Sequence, residues 1–252
     1  MTRRFTQKKF QSLELKQQHK KCAELLKEAI ECEATPRLER LSHYLELCSW
    51  MGFETLHSFH LEDLADRFHA HMELCGIGVR EDRMFNIRSQ DTPLARGLSL
   101  PVTIYLQDIR SAHNVGSIIR SAECMGLARV VTSNKTASLD HLQVKRSSMG
   151  CEKWIEVVQH QNLSVCPRPW IAIETVEGAP SIWEFDFPLK GCTLIVGNEE
   201  YGIREELLSY CDAIIQIPVF GRKNSLNVAS ALSCVAYEMR RQYEFKNLQI
   251  NT

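Results

Sequence analysis

Several common signatures are missing from this chain of 252 residues, and each absence removes a class of function. There is no G-x-G-x-x-G, and Gly197 and Gly202 are not followed by the Lys-Ser/Thr of a P-loop, so a classical dinucleotide or P-loop site is not expected. No apolar run approaches the roughly 20 residues that cross a bilayer, so no membrane partner is expected. The opening MTRRFTQKKFQ is basic without an apolar core behind it, which argues against a secretory leader. The ten cysteines include no C-x-x-C pair and fall mostly in apolar contexts, where a reduced thiol acts as a small hydrophobe. His57, His60, His69 and His71 cluster without a metal-ligand spacing, so no metal is expected. A cytoplasmic protein with reduced thiols follows. A formal net charge of −1 also lacks the excess of basic residues usual in nucleic-acid-binding domains.

What is present is organised in two parts. Hydrophobic content of 44% and charged content of 24% are those of an ordinary globular protein. Residues 1–75 read as helical. One stripe is Leu25, Leu26, Ala29 and Ile30, a second is Leu38, Leu41, Leu45 and Cys48 after a Thr35-Pro36 start, and a third is Leu61, Leu64, Phe68 and Met72. Residues 1–21 carry Arg3, Arg4, Lys8, Lys9, Lys16, Lys20 and Lys21 against the single acid Glu14, an arm that can neutralise phosphates or merely solvate a helix face. Residues 76–99 lose periodicity and read as a linker.

From residue 100 to 252 short apolar runs alternate with amphipathic stretches. Strands are expected at 102–107, 128–132, 154–158, 170–174, 193–196 and 213–218, with helices near 117–125, 205–210 and 225–245. Continuous rather than alternating apolar strands predict an α/β fold with a parallel sheet covered on both faces.

Three strand-to-helix junctions carry polar residues. The first, Thr103–Gly126, holds Asn114 in its loop and Arg120 six residues on, within the helix; the second is LIVGNEEYGI, 194–203; the third, IPVFGRKNSLNVASALSCVAYEM, opens with Ile217 and holds Asn224, Ser225 and Asn227 where a helix should begin. Such loops at the carboxyl ends of strands are where open α/β sheets bind ligands, although each alone also reads as a helix cap.

Taken in order, the junctions resemble the three motifs of the SPOUT class of methyltransferases, and specifically the TrmH (SpoU) family of RNA ribose 2'-O-methyltransferases. The first matches as Asn114, Gly116 and Arg120, and the second as Gly197, Glu199 and Gly202. The third matches as Ile217, Pro218, Gly221, Ser225, Leu226 and Asn227, with Glu238 near the end of the helix. The resemblance covers roughly residues 100–245 and leaves the first hundred unmatched. It implies a C-terminal trefoil knot in the sheet, a homodimer whose sites draw on both subunits, and methylation of a tRNA or rRNA. It further implies an S-adenosylmethionine pocket lined by Gly197, Ile217 and Leu226, with Thr175 at the end of IAIET. The catalytic set it implies is Arg120, Asn114, Glu199, Ser225 and Asn227. Arg120 would orient the hydroxyl and the neighbouring phosphate, since a guanidinium of pKa above about 12 is a poor proton acceptor, with base action reserved for a strongly perturbing site. The competing expectation is an inactive RNA-binding protein on the same scaffold; the matched catalytic positions argue against it, and measured binding of the cofactor separates the two.

Overall fold

In the computed structural model, residues 5–32, 34–78, 85, 99–188 and 190–250 are described. Of the expected linker, 79–84 and 86–98 lie outside them, as do Arg3 and Arg4 of the basic arm. The chain divides into two compact units, Met1–Thr92 and Pro93–Thr252.

The first unit is helical: α1 (Gln7–Gln11), α2 (Leu15–Glu31), α3 (Ala34–Met51) and α4 (Leu61–Leu74). Four helices replace the three read from periodicity, because the single turn of α1 is too short to show a stripe. Its Phe10 nevertheless fills the core beside Leu25, Leu26, Leu41, Tyr44, Leu47, Leu64 and Phe68. The expected stripe of α3 holds at Leu41 and Cys48, both buried, and at Leu45, packed against them, but Leu38 is 70% exposed, and Tyr44 and Leu47, outside that stripe, are fully buried. Packing against α2 and α1, not hydrophobicity alone, chooses the buried face.

The second unit holds a parallel sheet built from β1 (Leu100–Leu106), β2 (Leu127–Thr132), β3 (Glu156–Val158), β4 (Trp170–Ile173), β5 (Cys192–Val196) and β6 (Ala213–Ile215). The order is β3-β2-β1-β5-β4-β6 with every neighbouring pair parallel. Successive side chains point to opposite faces. Val102, Ile104, Leu106, Leu194 and Val196 therefore pack on one side, while Tyr105, Val131, Ala172 and Ile195 pack on the other. Burial on both faces explains the continuous apolar runs, and each fully buried Ile or Leu contributes about 1.5–3 kcal/mol.

The helices of this unit are α5 (Ala112–Cys124), α6 (Leu142–Ser148), α7 (Glu205–Leu208) and α8 (Val228–Ile250). α5 starts earlier than expected, because the Ser111 side chain caps it by accepting the backbone N–H of Asn114. Asn114 thus sits in the first helical turn, buried, not in a loop; its polar neighbours hid that turn from periodicity. α6 was not expected at all, being short and mostly polar. Trp154, read as a strand residue, is 56% exposed and precedes β3. α8 starts at Val228, not Ser225, since Asn227 Oδ1 accepts the N–H groups of Ala229 (2.9 Å) and Ser230 (3.3 Å) as a cap. It runs to Ile250, which leaves Glu238 mid-helix, paired with Arg241 at 2.7 Å. α8 crosses to α5, where Ser233 and Ser121 hydroxyls meet at 2.8 Å and Arg240 Nε donates to Met125 O at 3.1 Å. No described helix is long and apolar enough to cross a membrane.

Candidate active site

The sheet reverses its direction of growth at β1, with β2 and β3 added on one side and β5, β4 and β6 on the other. A ligand crevice is expected beyond the carboxyl ends at such a point. A cleft of about 520 Å³ lies on that side of the sheet, one strand away from β1, beyond the ends of β4 and β5 and beside the segment leading into α8. Its lining includes Thr175, Gly197, Glu199, Ile217, Ser225, Leu226 and Asn227. Seven of the nine residues singled out in the sequence therefore meet on one surface. The eighth, Asn114, is hydrogen-bonded to two of them.

That bonding joins the three junctions. Glu199 Oε1 accepts the Asn114 Nδ2 amide at 2.9 Å and the Ser111 N–H at 3.1 Å, while Oε2 accepts the Arg110 N–H at 3.0 Å. Asn114 Oδ1 in turn accepts the Asn227 Nδ2 amide at 3.0 Å. Burial pushes the Glu199 carboxyl up, but the bonds from Asn114, Arg110 and Ser111 outweigh it and leave it below its usual range. Glu199 is an ionised tie. The neighbouring Glu200 pairs instead with the Arg110 side chain at 2.7 Å.

Glycine is required at two points of the second junction. A Cβ at Gly197 would collide with the backbone of Gly202 and Ile203, and one at Gly202, which has φ +69°, would collide with the Glu174 carboxylate. The loop between them is closed by Asn198 and Gly202, which exchange backbone hydrogen bonds at 3.0 and 2.9 Å. Gly116 serves packing instead: a Cβ there would strike Ser147 and the backbone of α6. Gly221 faces open space.

Sequence reasoning missed three supporting residues. Glu174 accepts the Ile203 N–H at 2.8 Å and so ties the end of β4 to the loop. Asn198 donates its amide to Asp108 O at 2.5 Å. Asp108, in left-handed backbone (φ 56°), accepts Arg204 Nη2 at 2.8 Å, Tyr201 Oη at 3.1 Å and Ser133 Oγ at 2.7 Å. Their signal was a polar residue at the carboxyl end of a buried strand, visible only once the strand ends are known.

Arg120 stands apart. It lies on the exposed face of α5, outside the cleft lining, with no hydrogen bond to a described residue. Ser225 is exposed, and Leu226 is 46% exposed at the rim beside Val219 at 40% and Phe220 at 86%. Arg222 and Lys223 are exposed on the same segment.

Known proteins resemble this chain in sequence and fold. The sequence profile described as the SpoU rRNA Methylase family matches residues 101–237. A 23S rRNA (guanosine-2'-O-)-methyltransferase RlmB of Neisseria meningitidis is 28% identical over 60% of this chain and 62% of its own length. A tRNA (guanosine(18)-2'-O)-methyltransferase of Thermus thermophilus is 28% identical over 56% of this chain and 75% of its own. The SpoU methyltransferase AviRb of Streptomyces viridochromogenes superposes with a TM-score of 0.54 at 25% identity, over 59% of this chain and 62% of AviRb. The chain thus spans about three fifths of the length of the first curated relatives it matches. With a profile running through all three junctions and over more than half of the residues, the chain belongs to the SpoU rRNA methylase family.

Proposed function

We propose that the chain transfers a methyl group from S-adenosylmethionine to a ribose 2'-hydroxyl of structured RNA, tRNA or rRNA. The observation that carries this reading is the chain of hydrogen bonds Glu199–Asn114–Asn227 at a cleft walled by the backbone of a glycine loop. At about 520 Å³ the cleft has the size of a small-molecule site. Gly197 and Gly202 contribute bare backbone to one part of its wall, where their close approach leaves no room for a Cβ. We assign Gly197, Ile217, Leu226 and Thr175 to holding the cofactor. Its sulfonium supplies an already activated methyl group, so the transfer needs no metal. The curated relatives in Neisseria and Thermus are both named as guanosine 2'-O-methyltransferases, and the AviRb structure was also solved with AdoMet, at a TM-score of 0.52 and 25% identity.

The chain's own residues then position the acceptor. Glu199, held ionised, fixes Asn114 and the Arg110–Ser111 turn and is a poor proton acceptor. Asn227 and Ser225 present donors and acceptors to the hydroxyl or the cofactor. Arg120 clamps the neighbouring phosphate and orients the hydroxyl, a positioning effect that can supply several kcal/mol. Arg222 and Lys223 add charge suited to RNA phosphates.

Because Arg120 lies outside the cleft of its own chain, we place it in the site of a second copy, in a homodimer. Exposed Leu226, Cys234 and Tyr237 beside the cleft and on α8 support that interface, whereas Ala229 of the same helix is only 8% exposed and belongs to the core. Light scattering at micromolar concentration is expected to give twice the chain mass, and a monomeric mass overturns the dimer. A trefoil knot is supported by the path of the chain, which leaves β5, passes β4 to reach β6 at the edge, and returns with α8 onto α5. A cytoplasmic location is supported by ten cysteines without a disulfide.

Residues 1–75 we assign to gripping the RNA body, 76–99 to linking, and 100–252 to catalysis. Lys8, Lys9, Lys16 and Lys20 are exposed and can reach phosphates. The apolar cores of the two units share no residue. Removing residues 1–90 is therefore expected to leave a folded unit that still binds S-adenosylmethionine but grips RNA weakly and with a shallower salt slope. Equal RNA affinity and an equal slope overturn this role.

The central test is direct. Full-length protein, methyl-labelled S-adenosylmethionine and RNA from cells lacking the gene are incubated, and the RNA is hydrolysed in alkali. Label is expected in alkali-resistant dinucleotides, because cleavage needs a free 2'-hydroxyl. Label only in mononucleotides, or none, overturns the proposal.

A further inference from the structure

The helical unit contains a cluster that no local spacing reveals. Cys22 comes from α2, Cys48 from α3 and His71 from α4; all three are fully buried, and their ligating atoms lie within 4.8 Å of one another. Two further donors adjoin them. His19, one turn before Cys22 on α2, sets its Nδ1 2.8 Å from His71 Nδ1. Met51, one turn after Cys48 on α3, sets its Sδ 3.8 Å from Cys22 Sγ. The other ring nitrogen of His71 meets the Tyr44 hydroxyl at 3.0 Å.

Apolar packing does not explain this composition. Elsewhere the same core is filled by Leu26, Leu47, Leu64 and Phe68. One buried cysteine is an ordinary small hydrophobe, but two thiols and two imidazoles converging from three helices form a donor set. Thiolate sulfur and imidazole nitrogen are the ligands of structural zinc, with bonds of about 2.3 and 2.0 Å that put the ligand atoms of a tetrahedron about 3.3–3.8 Å apart. The separations among Cys22, Cys48 and His71, at most 4.8 Å, need adjustments of about an ångström to reach those values, and His19, already beside His71, must close on the two thiols as the ion binds. Charge selects the ion. Two thiolates and neutral imidazoles neutralise a dication, which suits a site taken wholly out of water, whereas a monocation leaves a buried net charge. Tyr44 is placed as the outer partner that orients a ligating imidazole.

We propose that Cys22, Cys48 and His71, completed by His19, form a structural zinc(II) site that clamps α2, α3 and α4 together. On binding, the two thiols give up their protons to solvent and two S–Zn bonds form, with no change of oxidation state. The site lies within the N-terminal unit and is independent of the methyl-transfer reading.

Full-length protein purified under reductant, given zinc(II) and then dialysed is expected to retain about one equivalent per chain, falling below about a tenth in Cys22→Ser and Cys48→Ser. Cys124→Ser and Cys234→Ser, at exposed cysteines, are expected to retain it. Cobalt(II) in place of zinc is expected to give the intense visible bands of a tetrahedral site and a thiolate-to-cobalt charge-transfer band. If the serine variants fail to fold, the wild-type cobalt spectrum decides. Absence of the charge-transfer band, zinc retention no greater than in the double variant Cys22→Ser/Cys48→Ser, or a Cys22–Cys48 disulfide in the protein as purified overturns the site.

Discussion

Arg120→Ala is expected to abolish methyl transfer while S-adenosylmethionine binds almost as in the wild type. The side chain is exposed on α5 and makes no hydrogen bond to a described residue, so its removal is expected to leave the fold and the cleft intact. What is lost is the guanidinium proposed to hold phosphate and hydroxyl in line with the methyl group. A planar, permanently charged fork can do this and an alanine cannot. Turnover above about a tenth of wild type corresponds to a loss below about 1.4 kcal/mol and sinks the role. Single-turnover transfer and equilibrium binding of the cofactor, measured on the same preparation, separate the two effects. Inactive heterodimers of Arg120→Ala with a cleft-defective chain, against active ones restored by mixing, distinguish an arginine acting in its own cleft from one acting in the partner's.

Gly197→Ala is expected to be the most damaging single methyl group that can be added to the cleft. Its Cβ falls on the backbone of Gly202 and Ile203, where no side chain can rotate away. The loop must open, and with it go the paired backbone bonds of Asn198 and Gly202 and the Glu174–Ile203 tie. Overpacking of this kind costs about 1–3 kcal/mol in stability, and cofactor affinity should fall by about tenfold or more, since every 1.4 kcal/mol misspent at the site is tenfold. Gly221→Ala is the matched control. Nothing lies within 4 Å of its added Cβ, so stability should change by less than about 0.5 kcal/mol. Isothermal titration with S-adenosylmethionine and thermal unfolding of both variants check this, and wild-type affinity in Gly197→Ala refutes the requirement for a bare backbone there.

The sequence by itself determined the parallel α/β sheet, the helical N-terminal part and seven of the residues that line the cleft. These are properties of short windows. A strand buried on both faces shows as a continuous apolar run, and a turn that allows no Cβ shows as glycine at 197 and 202. A ligand loop shows as amide and hydroxyl side chains where an apolar strand stops. Element ends were less legible. The first turn of α5 is polar and is fixed by one cap from Ser111, and α8 begins only where Asn227 satisfies the free N–H groups of Ala229 and Ser230.

Tertiary structure alone decided which of those residues meet. Glu199 and Asn114 are separated by 85 positions, and Asn114 and Asn227 by 113, yet each pair shares a hydrogen bond. The strand order, which brings β1 and β5 side by side, closes the first gap, and the packing of α8 on α5 closes the second. The same order leaves Arg120 outside the cleft that its motif suggests. In the helical unit, Cys22, Cys48 and His71 are invisible as a group because each helix contributes one of them. Spacing reports ligands that share a helix or a loop; ligands that meet through packing have no spacing to report, because their separation along the chain is set by helix lengths and not by the geometry of a bound ion.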